Sequence, residues 1–513
     1  MWIQQIFNTL ARPIIPIIKN KITRRRAADS TASTTRRANA VRLFFRTGIS
    51  GRRAAALAWL CLLTTPAVAL DFGRIPPEEV ALYVQDLHTG QVLLQHRADA
   101  SMNPASTMKL VTTFAALRAL GPDYRWHTEF KSDAPVRDGV LQGNLYWQGS
   151  GSPVFDQPDL QDMQAQLRLL GISRIGGQVV LDRSVWGSSG SADGFEADEG
   201  ALFVTPPDPH MVAYKVLWAT AGIDAEGNPQ FDLNPPLADT PRDIQVAVAN
   251  RPARCGKLAN YLSIQHLNGV LQFRGRLPQS CVGEKMFVNL FDAPTFARQS
   301  FSGHWLATGG NAVTFAEGRT PPQARTLAAN NSKPLAEVLT DMNKFSNNLI
   351  ARSVFLAIGE HEAAGKHTVQ NAKGAVRRQL VAAGLDDEAL VLENGSGLSR
   401  RERLTARFMG QMLQQAWQSP FQAAFINTLP IGGHDGTLKG RFKNSGGGLR
   451  LKTGTLQNVR ALAGYWLPEN PQQHPLALVV IINSERSGGY LPDMDKLVER
   501  VLNDTQALEK TLP

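Results

Sequence analysis

Ser106 and Lys109 stand three residues apart in "NPASTMKLVTTFAALRALGP" (Asn103 to Pro122), a segment that reads as an amphipathic helix. Helical positions i and i+3 share a face, so the lysine amine can approach the serine hydroxyl. A serine hydroxyl is a weak nucleophile until a neighbouring base takes its proton. Lysine serves as that base only when burial or a second cation lowers its pKa. The pair alone is weak evidence, since a chain of 513 residues holds roughly one or two Ser-x-x-Lys by chance.

Two further groupings complete a reaction centre. Lys-Thr-Gly, expected on the order of 0.1 times by chance, occurs once, at Lys452 to Gly454. Ser-x-Asn occurs at Ser101–Asn103, just ahead of the first helix and read as a turn or cap, and at Ser346–Asn348, where a second helix opens. Lys452 is the candidate second cation. The Ser346 hydroxyl can relay a proton to a leaving amine, and Asn348 can hold a substrate amide by donor and acceptor together. The Ser106 backbone N–H, with one from the Lys-Thr-Gly strand, would form an oxyanion hole. The chemistry is serine acyl transfer.

The elements that must position these groups can be read from periodicity. "EVALYVQDLHTGQVLLQHR" (Glu79 to Arg97) alternates on either side of "HTG", as a strand, a turn and a second strand do. The helix follows, with an apolar stripe at Leu110, Phe114 and Leu117 and a stop at Gly121-Pro122. From about Glu129 short β-like runs alternate with Gly-, Pro- and Asp-rich turns, which predicts a mostly β insert over 129–326. Helical patterning returns in "KPLAEVLTDMNKF" and "NNLIARSVFLAIGEH". "NVRALAGYWLPE" and "HPLALVVIINSE" read as adjacent strands and "DMDKLVERVLNDT" as a terminal helix. The expectation is an α/β chain whose catalytic domain is split into 70–128 and 327–513.

Residues 1–69 hold 12 Lys and Arg against one acid, whereas the rest of the chain has 42 basic and 43 acidic residues. The basic charge therefore belongs to the leader, and nothing in the folded part argues for nucleic acid. Arg46, Arg52 and Arg53 precede the apolar run Ala54 to Leu63 and the small residues Ala67 and Ala69. That order predicts a secretory signal cleaved after Ala69, leaving no stable membrane span. A membrane anchor is the alternative, although the run is shorter than the roughly 20 residues of a spanning helix. After cleavage the chain keeps Cys255 and Cys281, an even pair that in an oxidising compartment reads as a disulfide or else as two separate buried thiols. No metal-ligand spacing surrounds them.

Together "NPASTMKLVTTFAAL", "LGPDYRW", "NKFSNNLIAR", "NGSGLSR", "LPIGGHDGTLKGRF" and "LKTGTLQNVRALAGYW" resemble, in order, the blocks of the low-molecular-mass class C penicillin-binding proteins. These are the penicillin-binding protein 4 type of D-Ala-D-Ala carboxypeptidase and endopeptidase. The resemblance implies a penicillin-recognising transpeptidase/β-lactamase-like fold, an antiparallel sheet with helices on both sides, interrupted between the first two motifs by the insert. It also implies a periplasmic enzyme that cleaves peptidoglycan stem peptides, needs no cofactor or metal, and is acylated by β-lactams. Ser106 would be the nucleophile and Lys109 the proton acceptor, with Ser346 and Asn348 as the second element. Lys452, Thr453 and Thr455 would bind the terminal carboxylate, and the Thr455 N–H would complete the oxyanion hole. The family often has Glu where this chain has Arg352, Asp where it has Asn394, and Gly-Asp-Pro where it reads "GSP" at Gly151 to Pro153.

Two other functions fit the same fold: a β-lactamase or esterase, and a non-enzymatic wall-binding protein. Fast deacylation needs an extra base, a Glu or a Tyr opening the middle motif, and here that motif opens with Ser346. The scaffold reading would show in a missing catalytic residue, and none is missing.

Overall fold

The computed structural model describes residues 70–509, apart from 188, 191–193, 199, 238–239, 250–253, 363–367, 386–387 and 445–446. The basic leader and the expected cleavage after Ala69 lie outside the described residues. Among these residues, no helix is long and apolar enough to cross a membrane.

The central sheet has five antiparallel strands, in the order Leu449–Leu456, Val459–Trp466, Leu476–Asn483, Val80–Asp86 and Val92–His96. Two of its three inner strands, "VALYVQD" and "LALVVIIN", are near-continuous apolar runs. Such runs suit strands covered on both faces, and every residue from Val80 to Asp86 is buried. The first two strands of the folded chain thus join the last three in one sheet, and residues 97–448 leave it and return.

Helix Met108–Ala119 departs from the amphipathic reading. Met108 to Leu117 are all buried, because helices Leu335–Lys344, Asn348–Glu362, Thr368–Val381 and Ala406–Trp417 pack around it. The stripe Leu110, Phe114 and Leu117 marks only one of its covered sides. Thr112 and Thr113 occupy another and are satisfied inside the core, where Thr112 donates to the Gly395 carbonyl (2.6 Å) and Thr113 to the Lys109 carbonyl (2.8 Å).

The insert forms several small sheets. One five-stranded sheet pairs His127–Ser132 with Arg325–Asn331, so its outer limits straddle the expected boundaries at 129 and 326. The β texture also contains two helices that the sequence reading passed over, Gln157–Leu169 and Ala293–Ala307. The first opens on a capping box, with Asp156 and Asp159 each accepting the other's backbone N–H. Leu160, Met163 and Leu167 form its buried face. Phe130, Trp147, Phe301 and Trp305 meet in the insert's aromatic core. Cys255 and Cys281 are joined, with Cα atoms 5.0 Å apart.

Candidate active site

Ser106 lies in a single 3-10 turn, Ala105–Thr107, that leads into the α-helix beginning at Met108. The turn is held from before and behind. Asn103 accepts the Ala105 N–H on its side chain (2.8 Å), which is the turn expected at Ser101–Asn103. Asn103 also exchanges two hydrogen bonds with the Asn483 side chain at the end of a central strand (2.8 and 3.0 Å). Ala105 takes a left-handed φ of 46°. Two glycines let other backbones close on this turn. A Cβ at Gly397 (φ +78°) would lie 2.0 Å from the Ala105 carbonyl oxygen, and one at Gly454 would lie 2.7 Å from that of Pro104. The glycine of Lys-Thr-Gly is therefore a packing requirement of strand against the Ser106 turn.

The second element sits between two helices. Leu335–Lys344 ends, Ser346 adopts φ 55°, and Asn348–Glu362 begins. Asn347 accepts the Ile350 N–H (3.1 Å), so the first asparagine of the pair caps the helix and the second is left for chemistry.

The structure brings these residues together in two hydrogen-bonded groups, Ser106–Lys109–Asn348 and Ser346–Lys452–Thr453, close enough that the Lys109 charge acts on Lys452. Lys109 Nζ lies 3.1 Å from Ser106 Oγ, 2.7 Å from Asn348 Oδ1 and 2.5 Å from the Ser396 carbonyl oxygen. Lys452 Nζ donates to Ser346 Oγ (2.9 Å) and to its neighbour's carbonyl at Thr453 (2.7 Å). Thr453 Oγ1 donates to Thr437 Oγ1 (2.9 Å). Thr455 follows on the same strand with an exposed side chain. Ser106, Ser346 and Asn348 are half-buried, whereas both lysines are fully buried.

Burial lowers the Lys109 amine to about 7, against the opposing pull of the Glu402 carboxylate. Lys452 is held well below the ordinary lysine value by burial first and by the charge of Lys109 second. Of the two means open to it, burial sets the Lys109 amine, and the repulsion between the two amines is felt at Lys452. A neutral Lys109 fits its surroundings. Two N–H bonds serve Asn348 and Ser396, and the lone pair faces the Ser106 hydroxyl.

Four contributors were missed by sequence reasoning. Ser396 acts through its carbonyl and Thr437 through its hydroxyl, and neither role has a side-chain signature at a distance. The Phe203 carbonyl, from the insert, accepts Asn348 Nδ2 (3.1 Å). Glu402 is fully buried beside three arginines in sequence, a setting that reads as surface. Arg352, the departure in the second helix, is also buried; its guanidinium donates to the carbonyls of Gly190 (2.9 Å), Val204 (3.3 Å) and Thr205 (3.3 Å). Among the described residues, no group of three or more His, Cys, Asp or Glu side chains is placed to hold a metal ion.

The model of the D-Ala-D-Ala carboxypeptidase 3 (S13) family matches residues 65–501. A D-alanyl-D-alanine carboxypeptidase of Actinomadura sp. (strain R39) is 30% identical over 410 residues, 74% of each chain. The crystal structure of penicillin binding protein 4 from Haemophilus influenzae superposes with a TM-score of 0.67 at 25% identity, covering 83% of this chain and 96% of that one. The same protein complexed with a β-lactam gives a TM-score of 0.64 at 24% identity, with the same coverage.

Proposed function

Because the chain belongs to the D-Ala-D-Ala carboxypeptidase (S13) family, we propose that Ser106 is its nucleophile and Lys109 the base that takes the Ser106 proton. The enzyme is a serine-type D-Ala-D-Ala carboxypeptidase/endopeptidase of the penicillin-binding protein 4 type. The observation that carries the assignment of roles is the buried Lys109 amine, with two acceptors for its hydrogens and Ser106 Oγ at 3.1 Å.

In the acylation step Ser106 Oγ attacks the carbonyl carbon of the penultimate D-alanine while Lys109 Nζ takes the hydroxyl proton. The oxyanion is held by the N–H groups of Ser106 and Thr455. The C–N bond breaks, and the leaving D-alanine amine takes a proton delivered through Ser346, whose hydroxyl receives a hydrogen bond from Lys452. Water then attacks the acyl-enzyme ester, releasing the shortened stem peptide and restoring the Ser106 hydroxyl. Lys452, Thr453 and Thr455 hold the terminal carboxylate of the substrate, and Asn348 holds a peptide amide. β-Lactams enter the same step through their ring carbonyl.

Residues 1–69 are read as an export leader cleaved after Ala69, delivering the chain to the periplasm. The disulfide between Cys255 and Cys281 suits that compartment. We assign 129–326 to an insert within a catalytic domain made of 70–128 and 327–513. Mass spectrometry of penicillin-treated protein tests the central assignment. A covalent adduct on the Ser106 peptide, absent in Ser106→Ala, is expected; an adduct elsewhere overturns it.

A further inference from the structure

Among the described residues, Glu402 is the one fully buried carboxylate next to the reaction centre that the acylation step does not use. Its Oε1 accepts three backbone N–H groups, from Glu393 (3.2 Å), Asn394 (3.1 Å) and Gly395 (3.3 Å). The next residue in that turn is Ser396, whose carbonyl receives the Lys109 amine at 2.5 Å. One carboxylate oxygen therefore fixes the turn that holds the base. The other, Oε2, is buried and makes no hydrogen bond among the described residues.

An amide oxygen would accept the same three N–H groups, so the hydrogen bonds alone do not call for a carboxylate. At Oε1 only the negative charge separates Glu from Gln. The charge has one buried amine to meet, that of Lys109. Other charged groups around the turn are already engaged. Glu393 pairs with Arg401 (2.6 Å) and Lys373 (3.5 Å) on the more exposed side, and Arg403 donates to the carbonyls of Arg400 and Glu402 (2.8 Å each). Asn394, where the family often has Asp, belongs to the same turn. Its Oδ1 accepts both the N–H (3.0 Å) and the hydroxyl (2.6 Å) of Ser396.

We propose that Glu402 is a positioning residue for Lys109: it orients the Ser396 carbonyl against the amine and supplies the buried negative charge that position 394 lacks in this chain. The proposal rests on the reading of Lys109 as the base for Ser106. Its electrostatics are reciprocal. Burial raises the Glu402 carboxyl overall, opposed first by its three backbone N–H bonds and then by the Lys109 charge, while the Glu402 charge raises Lys109 against burial.

The test is the pH dependence of Ser106 acylation by penicillin in the full chain, followed by adduct mass, with thermal unfolding alongside. Glu402→Gln removes an anion beside the amine, so the rising limb of the profile should move to lower pH by about one unit. Asn394→Asp keeps Glu402, adds a carboxylate to the same turn, and should move the limb to higher pH. The double variant N394D/E402Q should return it toward wild type. Should Glu402→Gln alone fail to fold, the double variant N394D/E402Q decides, and a limb away from wild type there overturns the charge role. Limbs that coincide with wild type in the folded single variants overturn the charge role. Loss of acylation in folded Glu402→Gln at every pH, unrescued by the double variant, does so too. If the wild-type protein itself gives no Ser106 adduct, the reading of Ser106 and Lys109 fails and takes this role with it.

Discussion

Asn348 Oδ1 accepts from Lys109 Nζ at 2.7 Å while Asn348 Nδ2 donates to the carbonyl of Phe203 at 3.1 Å. A single carboxamide thus joins Lys109 on the first helix to a turn of the insert, using its acceptor end and one of its donor hydrogens. The second donor hydrogen remains for a substrate carbonyl. The insert is in this way part of the reaction centre's frame, touching it at the residue that also orients the amine.

Asn348→Ala should therefore act on the chemical step more than on stability. It leaves Lys109 with Ser396 as its fixed acceptor and frees the amine to turn away from Ser106. A loss of one oriented contact to a catalytic group corresponds to about a hundredfold in the acylation rate, or roughly 2.7 kcal/mol. Stopped-flow acylation by a reporter β-lactam measures it. A wild-type rate would mean that Asn348 does not orient the base.

Arg352 makes a different link between the same two parts. Its buried guanidinium donates to carbonyls at Gly190, Val204 and Thr205, all in the insert. Arg352→Ala leaves those carbonyls short of donors and opens space in a packed wall, at a cost of about 2–4 kcal/mol. Arg352→Glu, the residue the family often carries, sets a carboxylate against three carbonyl oxygens and should cost more than the alanine. Denaturant midpoints of the two variants against wild type give the ordering. The reverse ordering would mean that the pocket recruits a new donor.

Much of this frame was legible in the sequence. Ser106, Lys109, Ser346, Asn348 and Lys452 could be found because their chemistry fixes residue type and local spacing, and because both strand pairs alternate or run apolar as buried strands do. Glu402, Ser396 and Phe203 could not be found in that way. Two of them act through backbone carbonyls, which every residue possesses. The third is an acid inside "SRRERL", where local composition points to water. Its burial follows from the packing of the 393–402 segment against the nucleophile turn, a contact made across nearly 300 residues of chain. The insert helices Gln157–Leu169 and Ala293–Ala307 were hidden for another reason, since the Gly- and Pro-rich turns around them dominate the local pattern.

Lys109 makes two pH dependences follow from one group. Its amine titrates at about 7 in the folded protein and at about 10.4 in an unfolded chain. With the neutral amine as the proposed base, acylation should rise with pH through a midpoint near 7 and level off above it. For stability the folded value is the lower one, so between the two values the unfolded chain holds the extra proton. Stability from this group therefore rises with pH from about 7 toward 10.4, at up to about 1.4 kcal/mol per unit, and is flat below 7. Lys452, also depressed by burial, acts in the same direction. Lys109→Met removes the titrating group while keeping an unbranched apolar side chain in its place. It should abolish acylation and reduce the rise in denaturant midpoint between pH 7 and 9. An identical rise in wild type and Lys109→Met would show that the folded protein does not hold this lysine neutral.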